Sequence, residues 1–171
     1  MNDTLWQTDV IVVGAGPVGL ELAVALKQAG VDYLQFEAGQ IGHTISWWPR
    51  NTRFFSSPER IGIAGVPLQT LDQEHATGEQ YLAYLRSVAM QFDLKVHTYE
   101  PVERIERCQN GFRVHTRRRL GARSYTCRRT VLATGGLSAP NRLNIPGEDL
   151  PHVTHYFDDP HAYFQQRLLV V

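Results

Sequence analysis

The sequence predicts an α/β domain with a central parallel sheet and an antiparallel β-meander. Three observations carry this. A β-branched run at residues 10–13 ends in glycine, a glycine-rich turn opens a helical stretch at Pro17, and a second apolar run follows at residues 31–36. Strand, helix and strand in that order make a βαβ unit, whose right-handed crossover sets the two strands parallel.

Val10, Ile11, Val12 and Val13 read as a strand buried on both faces. Pro17 suits the first helical turn, where its missing N–H costs little. Leu20, Ala23, Val24 and Leu26 continue that helix until Gly30 stops it. Between Gly39 and Gln73 periodicity fails, and the run IGHTISWWPRNTRFFSSPERIGIAGVPLQT is rich in aromatics, Ser, Pro and Gly. An ordered loop of that length usually has a job. From Thr77 as N-cap, Tyr81, Leu82, Leu85, Val88, Ala89 and Phe92 recur at helical spacing, and residues 94–96 come next as a third parallel strand. Residues 102–107, 112–116 and 124–129 read as the meander, with Asn110-Gly111 marking a hairpin. Residues 130–134 then return as another central strand, ended by the Gly135-Gly136 turn. Arg117, Arg118 and Arg119 before Leu120-Gly121 read as a solvated hairpin tip rather than a nucleic-acid patch.

With 17 basic and 17 acidic residues among 171, the chain has no net field to draw it onto nucleic acid or an anionic membrane. Small molecules are the expected partners. Residues 1–9 lack the pattern of a signal peptide, and nothing approaches the ~18 apolar residues that cross a bilayer, so a cytoplasmic location is expected. Cys108 and Cys127 are too few for a zinc site or disulfide framework and too far apart for a CxxC pair. His152, His155 and His161 lie near Asp158 and Asp159 in a proline-punctuated stretch. Without a paired-His helix or a cysteine beside them they read as a surface linker, not a metal site. Tyr156-Phe157 and Tyr163-Phe164 are expected to anchor that linker. Ser56-Ser57 lack a G-x-S-x-G elbow, so hydrolase chemistry is unsupported and no catalytic residue is assigned.

The chemistry is concentrated in Gly14, Gly16 and Gly19, which fit G-x-G-x-x-G, with Ala23 one helical turn later. Gly14 serves the tight turn, Gly16 lets backbone approach a pyrophosphate, and Gly19 lets helix and strand pack closely. The helix N-terminus adds free N–H groups and partial positive charge for phosphates. Glu37 stands 18 residues after Gly19 at the end of the second strand, where a carboxylate can accept hydrogen bonds from ribose hydroxyls and repel a 2′-phosphate. These features predict a dinucleotide but do not separate NAD from FAD, which share the ADP half.

The chain beyond the first βαβ unit separates them: it holds a long aromatic loop, a meander and Ala133-Thr134-Gly135 rather than further βα units. On these features nearly the whole chain resembles the FAD domain of two-dinucleotide-fold flavoproteins, an FAD/NAD(P)-binding Rossmann-like three-layer domain. Phe54-Phe55-Ser56-Ser57 with RIGIAGVPL, and IPGEDLPHVTHYF with DDPHAYF before LLVV, narrow the resemblance to thioredoxin-reductase-like flavoproteins, which include the bacillithiol-disulfide reductases.

That resemblance implies an FAD enzyme that takes hydride from NADPH and passes it to a disulfide-type acceptor, with a small-molecule or thiol/disulfide substrate. It places the FAD pyrophosphate on Gly14, Gly16, Pro17 and Gly19, the adenosine ribose on Glu37 and the adenine at the backbone of Val102. Thr134 and Gly135 approach the cofactor again, and the loop bearing His43, Trp47, Trp48, Phe54, Phe55, Ser56 and Ser57 lies near the isoalloxazine. For any one of Trp47, Phe54 and Phe55, core filling is the commoner role. The implied domains are an FAD-binding part at residues 1–139, a Pro-rich linker at 140–166, and at 167–171 the first strand of an NAD(P)H domain. The NADPH loop itself is absent from this sequence. The alternatives left open are a flavin monooxygenase, or a nucleotide-binding module without turnover. Pairing through an open sheet edge as a homodimer is a further expectation.

Overall fold

The computed structural model describes residues 7–71, 73–137 and 139–171; most of the N-terminal stretch in which a signal peptide would fall lies outside them. The elements run β1 (Thr8–Val13), α1 (Pro17–Gln28), β2 (Tyr33–Phe36), a 3-10 turn (His43–Trp47), α2 (Pro58–Ile61), α3 (Gly78–Gln91), β3 (Val96–His97), β4 (Val102–Cys108), β5 (Gly111–Arg118), β6 (Gly121–Leu132) and a second 3-10 turn (Pro160–Tyr163). All six strands form one sheet in the order β3-β2-β1-β6-β5-β4. β3, β2, β1 and β6 are parallel, whereas β6, β5 and β4 are antiparallel.

The expected meander strand at 124–129 and central strand at 130–134 are one strand, β6, of 12 residues. No Gly or Pro interrupts SYTCRRTVL, so nothing local ends the strand between its two pairings. Cys127 opposes Phe112 on one side and Thr8 on the other. The third parallel strand is shorter than residues 94–96 implied, starting two residues later and ending one later, with Val96 and His97 opposing Gln35 and Phe36. Leu94 instead packs against the helical core.

Local chemistry fixes the helices. α1 starts at Pro17 and closes in a Schellman pattern: Gly30, at φ +67, donates its N–H to Lys27, and Val31 donates to Leu26. α3 has the Thr77 capping box, with Gln80 N–H on Thr77 Oγ1 at 3.2 Å and Thr77 N–H on Gln80 Oε1 at 2.8 Å. One core cluster joins α1 and α3 through Leu20, Val24, Tyr81, Leu85 and Val88. The other joins the parallel strands to the meander through Ile11, Phe36, Val114 and Cys127.

The aromatic loop splits its residues. Trp48, Phe54 and Tyr81 meet in sequence, tilted and then edge to face, at 4.8 and 4.7 Å between ring centres. The Phe54 N–H is pinned to the Ala76 carbonyl, while Phe55, the next residue, is fully exposed, so core filling holds for Phe54 and not for Phe55. Residues 134–171 lie largely on the surface. Of the four aromatics expected to anchor them, Tyr156 meets Trp47 at 5.9 Å, Phe157 and Tyr163 stack on each other, and Phe164 is exposed. Residues 167–171 pair with no strand among the described residues. Among those residues no helix is long and apolar enough to cross a membrane.

Candidate functional site

The C-terminal ends of β1, β2 and β6 converge on the glycine loop. Gly14 has φ +110, and a Cβ there would overlap the Ala133 carbonyl oxygen, so this position needs glycine twice over. A Cβ on Gly19 would overlap the Gly14 carbonyl oxygen. Gly16 differs, because a Cβ there would meet nothing within 4 Å. Gly14 and Gly19 are small so that the fold closes on itself, and Gly16 borders open space.

The mouth is electrostatically incomplete. The first helical bond of α1 is Leu20 N–H to the Gly16 carbonyl at 3.0 Å, which leaves the Val18 and Gly19 amides ahead of the ladder. Gly16 caps α1 without a side chain, and the first turn holds no acidic residue. The positive end of the helix dipole therefore meets no anion from its own first turn.

Glu37 is buried at 9% exposure. Its Oε2 accepts the Ala15 N–H at 2.7 Å and its Oε1 accepts the Gly39 N–H at 2.9 Å. Its own N–H donates to the His97 carbonyl, and its carbonyl accepts from Glu100 N–H. A carboxylate offers about four acceptor positions, so one remains on each oxygen. The side chain thus braces the loop and keeps capacity for two hydroxyls.

Thr134 and Gly135 are exposed in the turn after β6, and Ala133 N–H donates to the Val13 carbonyl at 2.8 Å, which sets that turn beside Gly14. Gly14, Gly16, Pro17, Gly19, Glu37, Thr134 and Gly135 thus belong to one mouth. Val102 opens β4 opposite Thr116, half-buried, two residues past Glu100. Trp47 lies farther along, at the end of the first 3-10 turn, its Nε1 at 3.3 Å from His43 Nε2. It lines an open cavity of about 600 Å³ with Ser46, Trp48, Arg50, Tyr156, Phe157 and Asp158; Ser56, just before α2, does not. The Gly42 N–H ties this 3-10 turn to the loop through the Ala15 carbonyl at 3.0 Å.

Sequence reasoning missed a polar cluster next to the mouth. Glu100 is fully buried; its Oε1 accepts from Thr116 Oγ1 at 2.7 Å and Tyr125 OH at 3.2 Å, and its Oε2 accepts from Arg118 Nε. Arg118 also donates to His97 Nδ1 at 2.6 Å, so it is not part of a solvated tip. The members of this cluster come from separate strands and the loop before β4, so spacing gives no sign of them. Cys127 is buried and its thiol is pushed up, chiefly by burial, as suits an inert thiol. Among the described residues no three His, Cys, Asp or Glu gather to hold a metal.

The loop fits an ADP-bearing cofactor through open space at Gly16, amides ahead of the helical ladder and a carboxylate with spare acceptors. Comparison with known proteins agrees with that chemistry. The family model described as pyridine nucleotide-disulphide oxidoreductase matches residues 11–171. The chain belongs to the pyridine nucleotide-disulphide oxidoreductase family. It is 36% identical over 166 residues to bacilliredoxin reductase Bdr of Bacillus subtilis (strain 168), covering 96% of the chain and 50% of that protein. The bacillithiol disulfide reductase Bdr (YpdA) of Bacillus cereus superposes with a TM-score of 0.87 at 36% identity, over 91% of this chain and 48% of that one. OTEMO, solved in complex with FAD and NADP, superposes with a TM-score of 0.69 at 25% identity, over 85% and 29%. The chain spans about half the length of the curated relatives it matches. The pyridine nucleotide-disulphide oxidoreductases are enzymes, and the six-stranded sheet with its helices has their FAD/NAD(P)-binding Rossmann-like fold, as the sequence predicts.

Proposed function

We propose that this chain is the FAD-binding portion of an FAD-dependent NAD(P)H oxidoreductase that moves hydride from NADPH to FAD and on to a disulfide-type acceptor. The observation that carries the reading is the shared mouth: an uncapped helix end and the buried Glu37 carboxylate flank a glycine with open space beside it. The family match supports the reaction class, the FAD and NADP bound to OTEMO support the cofactors, and the names of the two Bdr relatives support a thiol/disulfide substrate.

Bound FAD supplies the two-electron chemistry. The chain's own part is binding and orientation. In this reading the amides of Gly16, Val18 and Gly19 take the pyrophosphate, with Pro17 shaping the turn, and the spare acceptors of Glu37 take the ribose hydroxyls. The Val102 backbone meets the adenine, and Thr134 and Gly135 close on the cofactor from β6. Trp47 and Ser56 stand toward the flavin ring, where they limit access of water. Residues 1–139 are then the FAD part and 140–166 the linker, with residues 167–171 opening an NAD(P)H domain, and the enzyme works in the cytoplasm.

The test is direct. ADP and FAD are titrated against the chain by calorimetry and flavin fluorescence, and NADPH oxidation by the protein that contains the chain is measured with a thiol disulfide and with oxygen. FAD binding displaced by ADP, with NADPH consumption coupled to disulfide loss, is expected. Absence of flavin binding ends the proposal, and NADPH consumption matched by an oxygenated product replaces it with a monooxygenase.

A further inference from the structure

One peptide plane of the glycine loop is gripped at both ends from the end of β2 and the residue that follows it. Gln35 Nε2 donates to the Gly14 carbonyl at 2.9 Å. The N–H on the other side of that same peptide, Ala15, donates to Glu37 Oε2 at 2.7 Å. Gln35 and Glu37 are two residues apart, so the period of a strand sends both side chains the same way. A trans peptide is planar with its C=O and N–H opposed, so holding both ends removes its remaining rotation. The next plane is held from elsewhere: Gly42 N–H takes the Ala15 carbonyl at 3.0 Å, which turns the Gly16 N–H away from Gly42.

Gln35 does this at a cost to the fold. It is fully buried, and its Oε1 has no hydrogen-bond partner. Flipping the amide would set Oε1 against the Gly14 carbonyl, acceptor against acceptor, so the orientation is dictated by chemistry. An apolar side chain of the same size would fill this space and remove the orphaned Oε1, but it would leave the Gly14 carbonyl without this donor. Satisfaction of polar groups gives glutamine no advantage over leucine here, and what glutamine adds is the bond to the loop.

We infer that Gln35 is a positioning residue for the cofactor loop. It fixes the Gly14–Ala15 peptide so that Ala15 N–H is committed to Glu37 and the amides from Gly16 onward are left for phosphate. This rests on the proposed function, because it takes the loop to bind the ADP half of a dinucleotide.

The experiment compares the full chain with Gln35→Leu and Gln35→Met. ADP and FAD affinities are measured by calorimetry, apo stability by urea unfolding, and exchange at Ala15 and Gly16 by hydrogen–deuterium NMR. The expected result is a urea midpoint close to wild type, since losing the orphaned Oε1 offsets the Gly14 carbonyl left without its donor, together with faster exchange at Ala15 and ADP and FAD affinities lower by about tenfold, the scale of one net hydrogen bond's worth of ordering. Affinities that stay at the wild-type value overturn the inference alone. A urea midpoint that falls together with affinity in both variants also overturns it, since Gln35 is then ordinary core. A wild-type chain that binds neither ADP nor FAD overturns the proposed function and this inference with it.

Discussion

Glu37 and Glu100 are both buried, and the N–H of Glu100 donates to the carbonyl of Glu37 at 3.0 Å, yet their surroundings are opposite. Glu100 is saturated by side chains: Thr116, Tyr125 and Arg118 donate to it, and His97 Nδ1 lies 3.6 Å from Oε2. Glu37 accepts two backbone amides and keeps an acceptor free on each oxygen. A carboxylate whose partners are all folded onto it ties strands together. One that is held only by amides at a mouth can hold the loop and a ligand at once.

The partners of Glu100 also govern its titration and that of His97. Burial alone would raise the Glu100 carboxyl, but hydrogen bonds from Thr116 and Arg118, with the guanidinium charge, hold it below the usual carboxylate range. His97 is pushed down, first by burial, with the Glu100 charge opposing and Arg118 adding to the fall. A guanidinium has only donors, so the Arg118 contact makes His97 Nδ1 an acceptor and keeps the ring neutral.

Removing the saturated carboxylate should have the largest effect. Glu100→Leu strands Arg118, Thr116 and Tyr125 and is expected to cost about 3–5 kcal/mol of stability in urea unfolding. A cost below about 1 kcal/mol would break the contrast, because Glu100 would then not be tying the meander to the parallel strands. Next comes Glu37→Gln, which turns an amide NH₂ toward one of two backbone N–H donors. It is expected to lose about 1–3 kcal/mol and to weaken ADP binding at least about tenfold by calorimetry. ADP affinity equal to wild type would show that the spare acceptors are idle.

Acidification sharpens the same comparison at smaller scale. Both His97 and Glu100 have folded-state values below their unfolded ones, so each contributes stability that is present above its unfolded pKa and lost as pH falls. The His97 part should fade as pH drops below about 6.5, and the Glu100 part below about 4.3. The His97 ring stacks on Phe36 at 5.0 Å; urea midpoints measured from pH 7 downward should fall in that order, and His97→Phe, which keeps a ring there, should flatten the first decline. A wild-type midpoint that rises toward pH 5 would contradict the assignment. The smallest effect is expected from Thr77→Ala, which removes the α3 capping bond to Gln80 and no bond to either carboxylate. It should cost about 1 kcal/mol and leave ADP affinity untouched.

The β1–α1–β2 unit is legible in the sequence because its signals are local: a β-branched run, glycines at fixed spacing, Pro17 at a helix start and Gly30 at its end. Glu37 is found by its distance from the loop. The continuity of β6 is not legible, because one extended strand with two partners and two shorter strands have the same local propensity. Residues 97, 100, 116, 118 and 125 are joined only when β3, β5, β6 and the turn before β4 meet, and no window along the chain contains that event. Gln35 reads in sequence as an ordinary polar interruption of a strand. Its meaning emerges only once Gly14 lies over it. Phe55 escapes for a related reason, since composition says that the loop is aromatic but not which way each ring turns.

Because β6 pairs with β5 and β1 without a break, and Ala133 at its far end backs onto Gly14, the hairpin and the cofactor mouth share one ruler. Losing a residue from β6 would invert every side chain beyond the cut and drag Ala133 off Gly14. Extra residues at Arg119-Leu120, by contrast, would lengthen the tip and go unnoticed below. The tip of the hairpin is therefore the place in this strand pair where an insert is expected to leave the mouth undisturbed.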